Sequence, residues 1–195
     1  MSNRQIRIIV FILAIFFLGF SNNALSAAET YKVDTAHTYV MFRVKHLGVG
    51  YSYGRFNGPT GKFVFDESSP SSCSIEMQVK TNDVDTKVDK RDNDLKGPDF
   101  FNAVEHPAIT FKSTSVKKIS NNTYEVTGNL TLLGKTRPIS MKASDTGEGK
   151  DPWGKYRRGF ESTFTIKRSE FGMNFMLNGV SDEVDITVSV EGIRQ

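Results

Sequence analysis

The sequence predicts an all-β fold of eight antiparallel strands with a short helical insertion between strands. Three observations carry this. Eight stretches alternate apolar and polar residues with period two, turn signals separate them, and residues 85–103 drop the alternation and carry helix signals instead. Residues 183–191 show the pattern most cleanly. Val184, Ile186, Val188 and Val190 share one parity, while Asp185, Thr187, Ser189 and Glu191 share the other. Side chains on a strand point to opposite faces in turn, so each stretch has one wet face and one dry face. Eight dry faces must cover one another in a two-sheet sandwich or a closed barrel, and a barrel can enclose a ligand.

The elements follow in order. Strands are expected over residues 31–45, 54–66, 73–80, 108–117, 123–133, 136–145, 159–167 and 183–192. Ser68-Ser69-Pro70 closes one connection, Asn121-Asn122 makes a tight turn, and Gly134-Lys135 makes another. Short links between the fourth, fifth and sixth strands imply antiparallel neighbours. The insertion begins at Thr86, which can cap a helix with Asp89 three positions on. Val88 and Leu95 lie on one side of residues 87–96, and Gly97-Pro98 ends the helix. Asp99 can cap a further short turn holding Phe100 and Phe101. A polar insertion that ends in two phenylalanines suits either a lid at a barrel mouth or a plug in its end.

Residues 1–28 stand apart from this domain. Arg4 and Arg7 precede an apolar run over residues 8–20 and a stretch of small residues, the pattern of a cleaved secretory signal peptide. The run is short for a bilayer span. Cleavage is expected after Ala28 or Ser26, leaving residues 29–195 as one domain able to bury its own core. Loss of Arg4 and Arg7 lowers the formal net charge from +3 to +1, so no basic surface points to nucleic acid. The single cysteine, Cys73, shares parity with Ile75, Met77 and Val79 and reads as a small buried hydrophobe.

Chemistry-bearing residues are sparse. The three histidines are His37, His46 and His106. His37 and His46 are an odd number of positions apart, so on one regular strand they face opposite sides. No metal-binding spacing, P-loop, dinucleotide fingerprint or nucleophile elbow is present. Asp34 and His37 suggest a hydrogen-bonded structural histidine. The aromatic content is more informative. Eight strands leave a bore just wide enough for side chains or one slender ligand. Ten residues of strand rise about 33 Å, or about 25 Å along a tilted barrel axis, which suits a long apolar chain. The parity set Ile109, Phe111, Ser113, Ser115 suggests a bore that is apolar at one end and small-polar at the other.

These residues resemble the YceI-like family, polyisoprenoid-binding, lipocalin-like proteins of bacterial envelopes. The resemblance runs from Asp34, His37, Thr38, Val40, Phe42, Val44, His46, Leu47 and Gly48 through Phe56, Phe63, Phe65 and Asp66. Its most specific block is Arg91-Asp92, Leu95, Asp99-Phe100-Phe101-Asn102, Pro107 and Phe111. Gly128-Asn129-Leu130-Thr131-Leu132, Asp151-Pro152-Trp153-Gly154, Phe171-Gly172-Met173 and Asp182-Glu183-Val184 complete it. One departure is visible: the family commonly has histidine before the helix leucine, and this chain has Asp94. The resemblance implies an eight-stranded lipocalin-like barrel that holds a long isoprenoid, such as a polyprenyl lipid or a quinone tail, without catalysis and without a cofactor.

The functional expectation is therefore a periplasmic carrier. Phe42, Phe56, Leu95, Phe100, Phe101, Phe111 and Phe164 are the expected tail contacts. His46 and Arg91 are candidates for a polar head, though Arg91 can instead pair with Asp92 or Asp94 at the surface. Transient contact with a membrane or a membrane protein fits such a role, and the sequence leaves the oligomeric state open. Two alternatives stand beside it. One is an envelope stress-response or interaction module with a packed centre and Phe100-Phe101 facing solvent. The other is a lipid-modifying enzyme with His37 or His46 as general base.

Overall fold

The computed structural model describes residues 28–195. The expected signal peptide lies outside them except for its last residue. Eleven strands and one α-helix follow in the order β1 (Glu29–Val33), β2 (Tyr39–His46), β3 (Gly50–Phe56), β4 (Thr60–Phe65), β5 (Ser74–Lys80), β6 (Val84–Asp85), α1 (Asp89–Lys96), β7 (Ala108–Ser120), β8 (Thr123–Leu132), β9 (Lys135–Lys150), β10 (Tyr156–Lys167) and β11 (Val180–Arg194). All pairings are antiparallel.

The eleven strands build eight staves. β11 pairs along one side with β10, and along the other with β2 over Val180–Ser189 and with β1 over Gly192–Arg194. β1 and β2 are thus one stave broken by a turn. β4 pairs with β1 and β3 with β2, so β3 and β4 form a second broken stave. From β4 the ring runs through β5, β7, β8, β9 and β10 back to β11 and closes. The fold is an eight-stranded antiparallel barrel closed through the β1–β11 pair, and β3 has only the two-residue β6 on its other side.

The breaks correct the expectation of two continuous strands over 31–45 and 54–66. At Asp34–Thr38 the chain turns out of the ladder. There the Thr38 hydroxyl accepts the Glu191 N–H at 3.1 Å in place of a backbone carbonyl and donates at 3.3 Å to the Glu191 carbonyl, which also accepts the Asp34 N–H at 2.8 Å. His37 therefore lies in a turn, and strand parity does not govern its direction. In the second stave the break at Asn57-Gly58-Pro59 frees Arg55 and Phe56 to pair with the two-residue β6.

Two local expectations also change. The β8–β9 turn is Leu133-Gly134, not Gly134-Lys135, and φ is +51° and +69° at the two residues. Two positive φ values mark the type I′ hairpin, whose twist matches its strands. The helix starts at Asp89 because Lys87 has φ +63°, outside the helical region. Its first turn is held from Asp92 rather than Asp89: the Asp92 carboxylate accepts the N–H and the hydroxyl of Thr86.

Outside the barrel, Arg157 on β10 ties three segments together. Its guanidinium donates to Asp151 at 2.7 Å, to Asp34 at 2.6 Å and to Glu191. It fastens the β9–β10 connection and the broken first stave to β11. The hydrogen bond from His37 and then the Arg157 guanidinium hold the Asp34 carboxyl down at about 2. A depressed pKa stabilises the fold above the ordinary carboxylate value near pH 4, and the contribution is lost as pH falls through about 2. The denaturant midpoint should therefore fall between about pH 4 and pH 2, and fall less steeply in Asp34→Asn. At pH 7, Arg157→Gln should cost about 2 kcal/mol by chemical unfolding, since charge-assisted hydrogen bonds contribute on that order.

Candidate functional site

The inward-facing residues of the staves form two aromatic-rich clusters joined through Phe111. One lies at the end of the barrel covered by α1, and the other toward the opposite end. Between them the wall does not close up. Ile75 and Met77 on β5, Ile139 and Met141 on β9, and Val188 and Val190 on β11 help to enclose a cavity of about 160 Å³. Cys73 lines it too, and burial pushes its thiol pKa up, as suits a packing residue.

Glycines keep this space open. Gly128 on β8 lies under the Phe111 ring, and a Cβ there would overlap that ring and approach the Lys112 carbonyl at 2.6 Å. Gly54 lies under the Phe42 ring in the same way, and Gly192 under Phe63 and Tyr31. At Phe111 this lays the ring against the wall instead of across the bore.

The far end is sealed. Tyr31 stacks on Phe63 at 4.9 Å, and Phe65 packs edge-to-face on Tyr124 at 5.4 Å. Above them the buried Arg158 guanidinium sits 3.8 Å over the Phe65 ring and is held by Asp145 and Glu148. At the opposite end, α1, the β2–β3 hairpin and the segment around Phe175 frame a second space of about 640 Å³, a groove at the barrel mouth.

The nine sequence-predicted residues divide between these places. Phe111 and Phe164 line the interior cavity. Phe42, His46, Arg91, Leu95 and Phe100 line the mouth groove. Phe56 and Phe101 are buried and line neither. Instead, Phe56 meets Phe101 at 5.3 Å and Phe42 at 5.6 Å, and the three rings make a partition between groove and cavity. Along β2, Val40 reaches the cavity and Phe42, Val44 and His46 reach the groove, so one strand face runs through both spaces.

The polar candidates fare differently. Arg91 is held by neither Asp92 nor Asp94. Its guanidinium donates to the Thr86 hydroxyl at 2.8 Å and the Thr86 carbonyl at 2.9 Å. Asp94 and Asp99 line the same groove, so an anionic group there meets carboxylates. Phe100 is not free at the surface but packs edge-to-face on Phe175 at 5.5 Å. Asp34, His37 and Glu191 converge closely enough to hold a cation, yet the Arg157 guanidinium already bonds both carboxylates.

The expected small-polar end of the bore is absent. A register shift between Ser113 and Ser115 reverses the parity of β7, which brings Val116 inward. Ser113 is used by the wall, accepting the Ile75 N–H at 2.9 Å. Sequence reasoning also missed most of the aliphatic wall and the buried Ser162 that faces the cavity. The inward parity of β10 carried that signal, since Phe160, Ser162 and Phe164 alternate on one face.

The YceI-like domain matches residues 31–192. A UPF0312 protein of Pseudomonas paraeruginosa is 46% identical over 170 residues, covering 86% of this chain and 88% of that protein. Burkholderia cenocepacia BcnA superposes with a TM-score of 0.74 at 26% identity, covering 82% of this chain and 98% of that one. A polyisoprenoid-binding domain from Saccharophagus degradans shares the fold at a TM-score of 0.66 and 14% identity, covering 85% and 98%.

If glycines hold the bore open, Gly128→Ala must force the Phe111 ring inward and strain the β7–β8 pair. We expect a loss of about 1–3 kcal/mol in chemical unfolding, as for other overpacked cores. Gly149→Ala is the control, because nothing lies within 4 Å of its added Cβ, and it should leave stability within about 0.5 kcal/mol.

Proposed function

This chain belongs to the YceI-like family, and from that premise we propose that it binds and carries a long-chain isoprenoid lipid, a polyprenyl lipid or a quinone tail, inside its barrel. The observation that carries the reading is the apolar cavity at the centre of a closed barrel, with a groove at the end beside α1. The polyisoprenoid-binding domain of S. degradans, which shares the fold, supports it by analogy.

Size fixes how such a lipid lies. A cavity of about 160 Å³ is comparable to an engineered one that takes a benzene molecule, so it holds on the order of one isoprene unit. A longer chain has to continue past the Phe42, Phe56 and Phe101 partition into the groove. Phe42 is the movable member, since it lines the groove while Phe56 and Phe101 are buried. Burial yields about 0.8 kcal/mol per CH₂, so each isoprene unit contributes about 4 kcal/mol before ordering costs. Two or three units supply about 8–12 kcal/mol of apolar burial against those costs, without any charged contact.

In this reading the protein is a binding protein and not a catalyst. It works in the periplasm after removal of the leader, and it meets membranes or membrane proteins transiently at the mouth end. An interaction module with a packed centre is less well supported. The Phe100-Phe101 pair could serve as its contact only by facing solvent, whereas Phe101 is buried and Phe100 packs on Phe175.

Phe111→Trp tests the proposal in solution. The natural chain has one tryptophan, Trp153, which is 80% exposed, so emission from position 111 is resolved as a blue-shifted component. Titration with an eight-unit polyprenyl alcohol should change that component and saturate near one equivalent. An unchanged spectrum would remove the interior from any binding role.

A further inference from the structure

One polar atom faces the interior cavity with nothing to bond. Ser162 lies midway along β10, 8% exposed, between Phe160 and Phe164 on the inward face. It lines the cavity, and its hydroxyl has no hydrogen-bond partner. Its neighbours across the ladder are Val188 on β11 and Ala143 on β9, and neither side chain offers a polar atom. A buried hydroxyl without a partner destabilises the fold that contains it. Alanine fits the same space without that penalty, and the adjacent stave already uses alanine at position 143.

We infer that Ser162 is the anchoring point for one neutral oxygen of the bound lipid, an alcohol or a carbonyl. The ligand's polar end then lies deep in the barrel and its tail extends toward the mouth. This rests on the carrier reading and adds to it a chemical class and a direction. The mouth suits the tail better than the head. Phe42, Leu95 and Phe100 offer apolar surface there, Asp94 and Asp99 repel anions, the Arg91 guanidinium is engaged by Thr86, and the polar groups of His46, Tyr53 and Asn93 are exposed and already reach water. Charge excludes a phosphate at the deep position. No cationic side chain lines the cavity, and the one charged residue at its wall, Glu161, is exposed on the outward face of β10. An anion carried to Ser162 would be desolvated without compensation. Arg158, four residues along the same face, does not supply it: its guanidinium lies behind the Phe65 ring with both terminal nitrogens paired to Asp145 and Glu148, and only its Nε is without a partner.

The test compares probes that differ at one end. Farnesol, farnesene and farnesyl phosphate are titrated by calorimetry into the wild-type protein, Ser162→Ala and Ser162→Thr. Ser162→Ala should weaken farnesol about fivefold, the size of one neutral hydrogen bond, and leave farnesene and farnesyl phosphate within twofold. Ser162→Thr keeps the hydroxyl and should keep the farnesol affinity. Without ligand, Ser162→Ala should raise Tm by about 2–4 °C, which also shows that the variant is folded. Equal effects on farnesol and farnesene would overturn the anchoring role while leaving the carrier reading intact. Failure of every probe to bind the wild-type protein would remove both.

Discussion

The interior stays hollow because its central ring, Phe111, lies along the wall and not across the bore. Phe111 rests over Gly128, Phe42 over Gly54 and Phe63 over Gly192, in each case where a Cβ would collide with a ring. Close packing is the default for protein interiors, and eight staves enclose room for their own side chains or for one slender ligand. An apolar wall therefore tends to fill its barrel. The Phe111–Gly128 pair moves aromatic volume outward at the centre, while Phe42 and Phe63 lie over their glycines at the two ends of the cavity. The binding account depends on that arrangement.

The two barrel ends differ in kind. The far end is closed by stacked rings and by a buried arginine bonded to two carboxylates, and opening it would strand charge in an apolar setting. The mouth is closed only by the half-exposed Phe42, the rings behind it and the short helix. Apolar contacts are non-directional, so the rings there can repack around a ligand at small cost. The same residues that carry the family resemblance in the insertion, Arg91, Asp92, Leu95, Phe100 and Phe101, build this end. Arg91 and Asp92 both bond Thr86 and hold the helix in place, while Leu95 and Phe100 face the groove.

Most of the barrel was legible in the sequence because strand parity is a local property. The set Cys73, Ile75, Met77 and Val79 faces the cavity as the alternation predicts, and so does the set Ile186, Val188 and Val190. Parity fails where one residue is added or the chain leaves the ladder. The shift at Ser113–Ser115 and the turn at Asp34–Thr38 both do this, and neither contains a glycine or proline to mark it. The site was half legible for a related reason. Large aromatics signal an apolar interior, but which of them line space and which fill it depends on the glycine opposite, set by register between distant strands. Ser162 shares its parity with Phe160 and Phe164, which marks it as inward-facing; its lack of a partner is set by Val188 and Ala143 on other strands and is not a local property.

The central claim is that the space enclosed by the staves is occupied by an isoprenoid when the protein works. The most direct measurement is denaturing solvent extraction of the protein purified from its own cell envelope, followed by mass spectrometry against protein concentration. The account predicts one isoprenoid per barrel, with a neutral oxygen at one end. A lipid-free extract from protein with the barrel intact would contradict it.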